Sequence, residues 1–432
     1  MTHQGIQNLF VYQGIGSGTL LESICRAEQE NGEKRTAELC QRVCDVLSLA
    51  VNLGLSGNVW QGYLTYLLAE HENPFSLSCE RTKIDPESTL SRFAKRDFAI
   101  IRDWFSFDPS KSDDPLLRDA LSMLCGYRRN ANNAHVRDAA AGRRIEALRK
   151  SLADASDTEE FFSRMTDYYA AHGVGMFGLH HAFSVQMDGE DAIIEPIARP
   201  ARVTLDSIIG YDLQKRELVQ NTRAFTEGKA ANNVLLYGDS GTGKSTAVKA
   251  VLNEFAPRGL RLIEINKYQF RALSSVISQI KGRNYRFIIY IDDLSFEENE
   301  SEYKFLKAVI EGGVETNPEN VLIYATSNRR HLIRETWSDR SDMEHNDDIH
   351  RSDTIEEKLS LAARFGVTIN YSVPSRDEYL NIVRTLAARE GLDMDEEKLC
   401  MEATRWELRH GGISCRTARQ FIDYMHSKID IN

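Results

Sequence analysis

A chain of 432 residues, 42% apolar and 27% charged, has the balance of a globular protein and is long enough for roughly three domains at ~150 residues each. Its 27 glycines and 9 prolines are too few for collagen-like or low-complexity sequence, and a net charge of −11 excludes an all-over basic coat for nucleic acid, though not a local patch. No apolar run approaches the ~20 residues that span a bilayer, and the N-terminus lacks the basic-then-apolar layout of a signal peptide. Seven scattered cysteines read as reduced thiols, so a cytoplasmic protein without membrane contact is expected.

From Leu9 to about Arg164 apolar residues recur three and four apart, over Ala37–Leu53, Trp60–Ala69, Leu90–Phe105 and Leu116–Leu124. Ser76–Ser78 and Asp85–Ser91 supply turn and cap residues between them. This predicts a mainly helical N-terminal domain over residues 1–198, a candidate for binding a client or partner. Cys40 and Cys44, one helical turn apart, are expected in the core with Cys25, because no CxxC or HxxxH accompanies them. Adjacent His180 and His181 diverge and have no completing ligand nearby. Around residues 181–197 the period shortens to that of a hairpin, with Asp188 and Gly189 at its turn. Arg199-Pro200 then places the first boundary.

From Thr204 the texture changes. Asn233–Tyr237, Leu260–Asn266, Phe287–Asp292, Val321–Ser327 and Val367–Val373 are compact apolar runs, most separated by a helix-period segment. Near-continuous apolarity means strands covered on both faces, hence a parallel sheet wrapped by helices over residues 199–373. Beyond Pro374 the pattern predicts helices over Ser375–Glu390, Glu396–Leu408 and Cys415–His426, the first opened by a capping box of Ser375 and Glu378, in a small helical unit spanning 374–432.

The strongest motif is Gly238-Asp239-Ser240-Gly241-Thr242-Gly243-Lys244-Ser245, directly after one predicted strand and before a helix that opens with Thr246. It fits the phosphate-binding pattern G-x-x-x-x-G-K-[ST] in its required context. Glycines let successive N–H groups point inward at phosphates, and the new helix adds its positive end. Lys244 would reach the β- and γ-phosphates, and the Ser245 hydroxyl would be a ligand for Mg²⁺. The strand Phe287–Asp292 ends in two acids, placing Asp292 beside the Mg²⁺ shell and Asp293 where it can orient a water. Many such sites have Glu at the second position, so Asp293 implies a shifted water or slower turnover. Asn328, at the tip of the following strand, can hold the water that faces the γ-phosphate.

With these elements in order, residues 200–432 resemble an AAA+ ATPase: a leading segment (residues 204–211), Walker A, Walker B, sensor 1 and a helical lid. The stretches NTRAFTEGKAANNVLLYGDSGTGKSTAVKA, FIIYIDDLSFEE, LKAVIEGGVE and VLIYATSNRRHLIRE resemble more narrowly a bacterial ATP-binding protein family that carries a domain-of-unknown-function label, and the likeness extends into GNVWQGYLTYLLAEHENPFS. The resemblance implies an α/β P-loop core with a parallel sheet, ATP and Mg²⁺ as ligands, ATP hydrolysis, and a homo-oligomer. Arg364 matches the arginine finger that reaches into a neighbour's ATP. Arg416 matches the lid's sensor 2, with Arg419 one turn on as the competing candidate. Ile209, Gly210 and Tyr211 would line the adenine pocket.

What the motor acts on is less marked. The link after the second core strand carries Tyr268 and Phe270 without the glycine of polypeptide-threading loops, so both are expected to pack beneath the next helix. The Asp-Asp strand and the segment before Arg364 look closer to replication initiators and helicase loaders. A basic stretch from Arg128 to Lys150 reads as a solvated or intersubunit face, with phosphate contact as the alternative. The acid-rich insert at 337–357 reads equally as a partner-ordered loop or a passive one. Three readings stay open: an ATPase that remodels an unknown client, a nucleic-acid-linked loader, and an ATP-gated assembly switch with little turnover.

Overall fold

The computed structural model describes residues 8–26, 33–112, 114–129, 136–189, 191–296, 302–311, 318–328 and 361–429. The chain divides into two compact units, one of residues 1–181 with 196–199 and one of residues 182–195 with 200–432.

In the first unit the described residues form helices at Leu20–Arg26, Glu33–Leu53, Val59–Glu70, Pro74–Arg81, Thr89–Phe105, Pro115–Cys125, Ala139–Ala153, Thr158–His172 and Gly175–Leu179. Short polar residues start them: Ser88, Asp114, Asp138 and Asp157 each accept a backbone N–H of the first turn, satisfying donors that the helix itself cannot. The expected turn at Ser76–Ser78 is instead helical. Asn73 caps Pro74–Arg81 and Ser76 closes a capping box with it, so a serine read as a loop residue is the third residue of a helix. Aromatic side chains fill the core. Trp60 donates its indole N–H to the Trp104 carbonyl at 3.0 Å, and the Tyr12 and Tyr169 hydroxyls meet at 3.0 Å. Fully buried Asp97 accepts the backbone N–H groups of Phe10, Val11 and Tyr12, tying the leading segment down. Cys40 and Cys44 are exposed, contrary to expectation, because the buried stripe of their helix runs through Leu39, Val46, Ala50 and Leu53. The Cys25 side chain lies outside the described residues, and among those described no group of three His, Cys, Asp or Glu side chains could hold a metal.

Two of these helices touch backbone to backbone. A β-carbon added at Gly142 would stand 1.8 Å from the Leu53 carbonyl oxygen. Alanine normally favours a helix over glycine by ~1 kcal/mol, but a clash with a carbonyl cannot be relieved by a rotamer change. Gly142→Ala is therefore expected to destabilise this unit by about 3 kcal/mol, the upper end for overpacking. Faster amide hydrogen exchange across Ala139–Ala153 would register it; unchanged exchange would contradict it.

The second unit is built on a seven-stranded sheet of order β2-β1-β4-β5-β6-β3-β7. The strands are β1 (Ala182–Asp188), β2 (Asp191–Pro196), β3 (Val234–Gly238), β4 (Leu260–Glu264), β5 (Arg286–Ile291), β6 (Val321–Ser327) and β7 (Val367–Tyr371). The pairs β1–β4, β4–β5, β5–β6, β6–β3 and β3–β7 are parallel. The core strands form where expected because Val, Ile, Leu and Tyr side chains are covered on both faces.

The hairpin at 182–196 also forms, but it belongs to this sheet rather than to the helical unit. Ala182 pairs with Leu262 and Ser184 with Glu264, while Gln269 and Gln279 donate to the carbonyls of Val185 and Ala192. The chain thus passes between the units at 181/182, 195/196 and 199/200, with the hairpin on the sheet's side and the last crossing within one residue of the expected boundary.

After β4, Asn266 caps a 3₁₀ turn at Lys267–Ala272, which runs into a helix at Leu273–Ile280. Phe270 packs inward as expected, against Phe296. Tyr268 does not: it is 82% exposed, its ring beside the Lys267 ammonium. In a 3₁₀ turn of three residues, positions two apart point to different sides, so only one of the two aromatics can face the core.

Beyond β7 come three helices, Arg376–Glu390, Glu396–Arg409 and Cys415–Ile429, whose Tyr379, Ile382, Val383, Ala403, Phe421 and Ile422 form a core of their own. Ser375 and Glu378 close the capping box read from the sequence. No helix among the described residues is long and apolar enough to cross a membrane. The insert at 337–357 lies outside the described residues.

Candidate functional site

In a doubly wound sheet, ligands bind beyond the carboxyl ends of the strands where connections diverge to opposite faces. Strand β3 lies between β6 and β7, both later in the chain, and its end is such a point. The loop 239–243 leaves β3 there and feeds a helix at Lys244–Phe255. Gly238 has φ 128°, and a β-carbon on it would lie 2.3 Å from the Tyr371 carbonyl oxygen, which also accepts the Asp239 N–H at 3.0 Å. Gly241 has φ 76° and Gly243 φ 96°, conformations that L side chains rarely adopt. The loop is thus pinned to β7 at one end and bent by glycines along the rest. Its Asp239 carboxylate accepts the Val373 N–H at 2.9 Å.

Lys244 points back into the loop. Its ammonium donates to the carbonyls of Gly238 (2.8 Å) and Asp239 (2.6 Å) and to Asn328 Oδ1 (3.1 Å). Burial lowers the Lys244 pKa, an effect opposed by the carboxylates of Asp239, Asp293 and Asp292. Ser245, next in the helix, donates to Asp292 Oδ1 at 2.7 Å. Asp292 follows β5, and Asn328 follows β6 and donates from Nδ2 to Asp293 Oδ1 at 2.8 Å. Lys244, Ser245, Asp292, Asp293 and Asn328 therefore meet at adjacent strand ends. Asp293 sits in the left-handed region at φ 51°, which Asp tolerates better than most residues.

The sequence reading missed the residue that orders this acidic tip. Thr326, fully buried in β6, donates to Asp292 Oδ1 at 2.6 Å and accepts the Asp293 N–H at 3.0 Å. Burial disfavours the Asp292 charge, but the hydroxyl groups of Thr326, Tyr290 and Ser245 outweigh it and hold its carboxyl below the ordinary range. A polar side chain in an otherwise apolar strand, two residues before Asn328, was the available signal. Ser245 and Asp292 fit Mg²⁺ by donor chemistry, since hard oxygens in small number suit an ion that keeps water and phosphate in its remaining positions.

The lid helices meet the loop directly. The Arg416 N–H donates to the Gly241 carbonyl at 3.1 Å, and a β-carbon at Gly241 would crowd Ser414 and Arg416 at 3.1–3.3 Å. Arg419 is turned away, paired with Glu390 at 2.5 Å and Asp423 at 3.1 Å. Ile209 packs on the lid core. Gly210 (φ 78°) and Tyr211 (φ 55°) turn the chain into the helix Asp212–Thr226. The Tyr211 ring stacks on Tyr371 with centroids 5.0 Å apart, and its hydroxyl donates to the Ser372 carbonyl. Ser240 is exposed, while Thr242 is buried and donates to the Asp239 carbonyl. Thr246 lies half-buried in the first turn of the loop's helix.

Arg364 is not part of this cluster. It ends the turn before β7, and the register sets Val367 against Val234 but Tyr371 against Gly238. The finger candidate therefore lies at the opposite end of the sheet from its own phosphate loop.

Residues 178–429, more than half of the chain, match the family model described as "Protein of unknown function (DUF815)". The chain belongs to this family. The DUF815 match begins just ahead of β1, so the added hairpin falls inside it and most of the helical unit outside. The DUF815 region is thus an α/β unit with a largely parallel sheet, a phosphate-binding loop motif after β3 and three helices beyond β7. No curated protein matches the chain. Among solved structures it is similar to a single-residue mutant of Thermotoga maritima RuvB, with 17% identity and a TM-score of 0.37, over 53% of this chain and 65% of that one. It is also similar to the Thermotoga maritima RuvB Holliday junction branch migration motor, with 14% identity and a TM-score of 0.33, over 51% of this chain and 71% of that one. The chain thus spans just under two thirds of the first of these.

Proposed function

We propose that the protein binds ATP with Mg²⁺ and hydrolyses it, coupling the cycle to oligomer assembly and remodelling of a client. The observation that carries this is the hydrogen-bonded convergence of Lys244, Ser245, Asp292, Asp293 and Asn328 beside a glycine-bent loop at a helix N-terminus. Backbone N–H groups of residues 239–245 supply the phosphate cradle, and Lys244 moves from loop carbonyls to phosphate oxygens. Ser245 and Asp292 would hold Mg²⁺, which when bound neutralises charge on the phosphates. Asp293, oriented by Asn328, accepts hydrogen bonds from the attacking water. Arg416, whose backbone already touches the loop, carries the phosphate state into the lid.

The test is calorimetry with MgATP followed by turnover of an Asp293→Asn variant. Saturable heat in the wild type is expected, with turnover in Asp293→Asn reduced about 10²-fold, as for loss of a general base, at little changed ATP affinity. Absence of heat on folded protein defeats nucleotide binding, and unchanged turnover defeats the role of Asp293. The switch reading predicts that ATP-dependent assembly survives in Asp293→Asn, whereas the remodelling reading predicts that client release is lost. The outward-facing Tyr268 beside Lys267 favours a contact with a polypeptide client. The loader reading would instead require salt-sensitive nucleic-acid binding, and several arginines of the basic stretch are already engaged: Arg129 with the Gly54 carbonyl, Arg144 with those of Gly178 and Leu179, and Arg149 with Glu146.

A further inference from the structure

The helices Ala139–Ala153 and Thr158–His172 of the first unit leave a cleft of about 580 Å³ between them. It exists because the facing positions are small: Ala140 and Ala147 on one side and Ala171 on the other. A volume of this size falls in the range of ~300–1,000 Å³ typical of small-molecule sites. The wall is mixed. Leu148 and the Tyr168 ring supply apolar surface, while Arg143, Arg144, Arg164 and His172 bring cationic or protonatable groups against a single carboxylate, Asp167.

The polar groups differ in how far they are already engaged. Arg164 is held by Glu160 and the Ser151 carbonyl, and Arg144 donates through one nitrogen to the carbonyls of Gly178 and Leu179. Arg143 is exposed and makes no ion pair or hydrogen bond with its side chain among the described residues. Tyr168 is only 7% exposed, and its hydroxyl is shielded from solvent without a hydrogen-bond partner among the described residues. Burial pushes this hydroxyl up to about 12, against the pull of Arg144, so at neutral pH Tyr168 stays uncharged and its ring serves as apolar wall.

We propose that this cleft is a binding site for a small organic anion, a carboxylate or phosphate monoester carrying an apolar body. Arg143 and the free edge of Arg144 meet the anion, and the apolar body lies along Leu148, the Tyr168 ring and the alanines. The assignment is independent of the nucleotide reading, because every residue it uses lies within the helical unit.

The test is calorimetric titration of the full chain with phenyl phosphate, phenylacetate and inorganic phosphate at low and high salt. Phenyl phosphate, phenylacetate or both are expected to bind saturably, at least tenfold tighter than inorganic phosphate and more weakly as salt rises. Arg143→Gln, at an exposed position, is expected to weaken binding about tenfold. The relative affinity of the two organic probes tells phosphate from carboxylate ligands. Lys244→Ala should leave the titration unchanged, since binding lost with that variant belongs to the phosphate loop and overturns the assignment. So do saturable binding by neither organic probe, equal binding of inorganic phosphate, and unaltered binding in Arg143→Gln.

Discussion

Replacing Lys244 by alanine is expected to lower ATP affinity about 10³-fold, the scale of two charge-assisted hydrogen bonds at ~1.5–3 kcal/mol each, and to abolish turnover. The effect should be large because the ammonium makes three hydrogen bonds inside the loop, and the lid arginines are placed differently. Arg419 is held by Glu390 and Asp423, and the Arg416 side chain is exposed on the lid. The ammonium is also a structural element of the site, since it joins Gly238 and Asp239 at the loop's start to Asn328 just beyond β6. Lys244→Ala should therefore loosen the loop even without nucleotide, visible as faster amide exchange at 239–243. Lys244→Arg is a sharper control. It keeps the charge but cannot fit a planar fork between carbonyls at 2.6 and 2.8 Å, so it should recover little affinity. An alanine variant that binds MgATP like the wild type would remove the phosphate loop from the argument.

How much of this was legible beforehand follows from the range of the interactions. The core strands and lid helices could be read because their periodicity is local, and the phosphate loop because glycine, lysine and serine are needed at fixed spacing over eight residues. Membership of the hairpin could not. Its alternating pattern says that two strands pair, but its parallel pairing with β4 joins residues such as Ala182 and Leu262, far apart in the chain. Tyr268 and Phe270 illustrate a finer limit: the sequence marks both as aromatic, and only the 3₁₀ turn decides that Phe270 faces inward and Tyr268 outward. Thr326 is a similar case, its importance resting on two hydrogen bonds to a neighbouring strand's tip. Arg416 and Arg419 were open as alternatives, and what separates them is tertiary: Arg419 pairs with Glu390 and Asp423, while the Arg416 backbone contacts Gly241 of the loop.

Arg364→Ala is expected to lower turnover at least 10³-fold while ATP affinity changes little, the signature of an arginine that acts on the charge of the transition state. The geometry adds a condition that the sequence lacks. Along β7 the chain advances ~3.3 Å per residue, so Val367, paired with Val234, lies roughly 13 Å from Tyr371 at the phosphate loop, and Arg364 precedes Val367 still further out. An arginine at that end cannot serve its own subunit's nucleotide; if it serves one at all, it serves a neighbour's. Mixing two inactive proteins then distinguishes the cases. Lys244→Ala keeps an intact Arg364 but cannot bind ATP, whereas Arg364→Ala binds ATP but offers no arginine. Mixed assemblies would place a working arginine against a loaded site at some interfaces, so turnover should rise well above the sum of the separate preparations and depend on protein concentration. Strict additivity across mixing ratios, with oligomers demonstrably exchanged, would assign Arg364 to holding the turn before β7, where Phe365 is buried and Gly366 lies against Asn232.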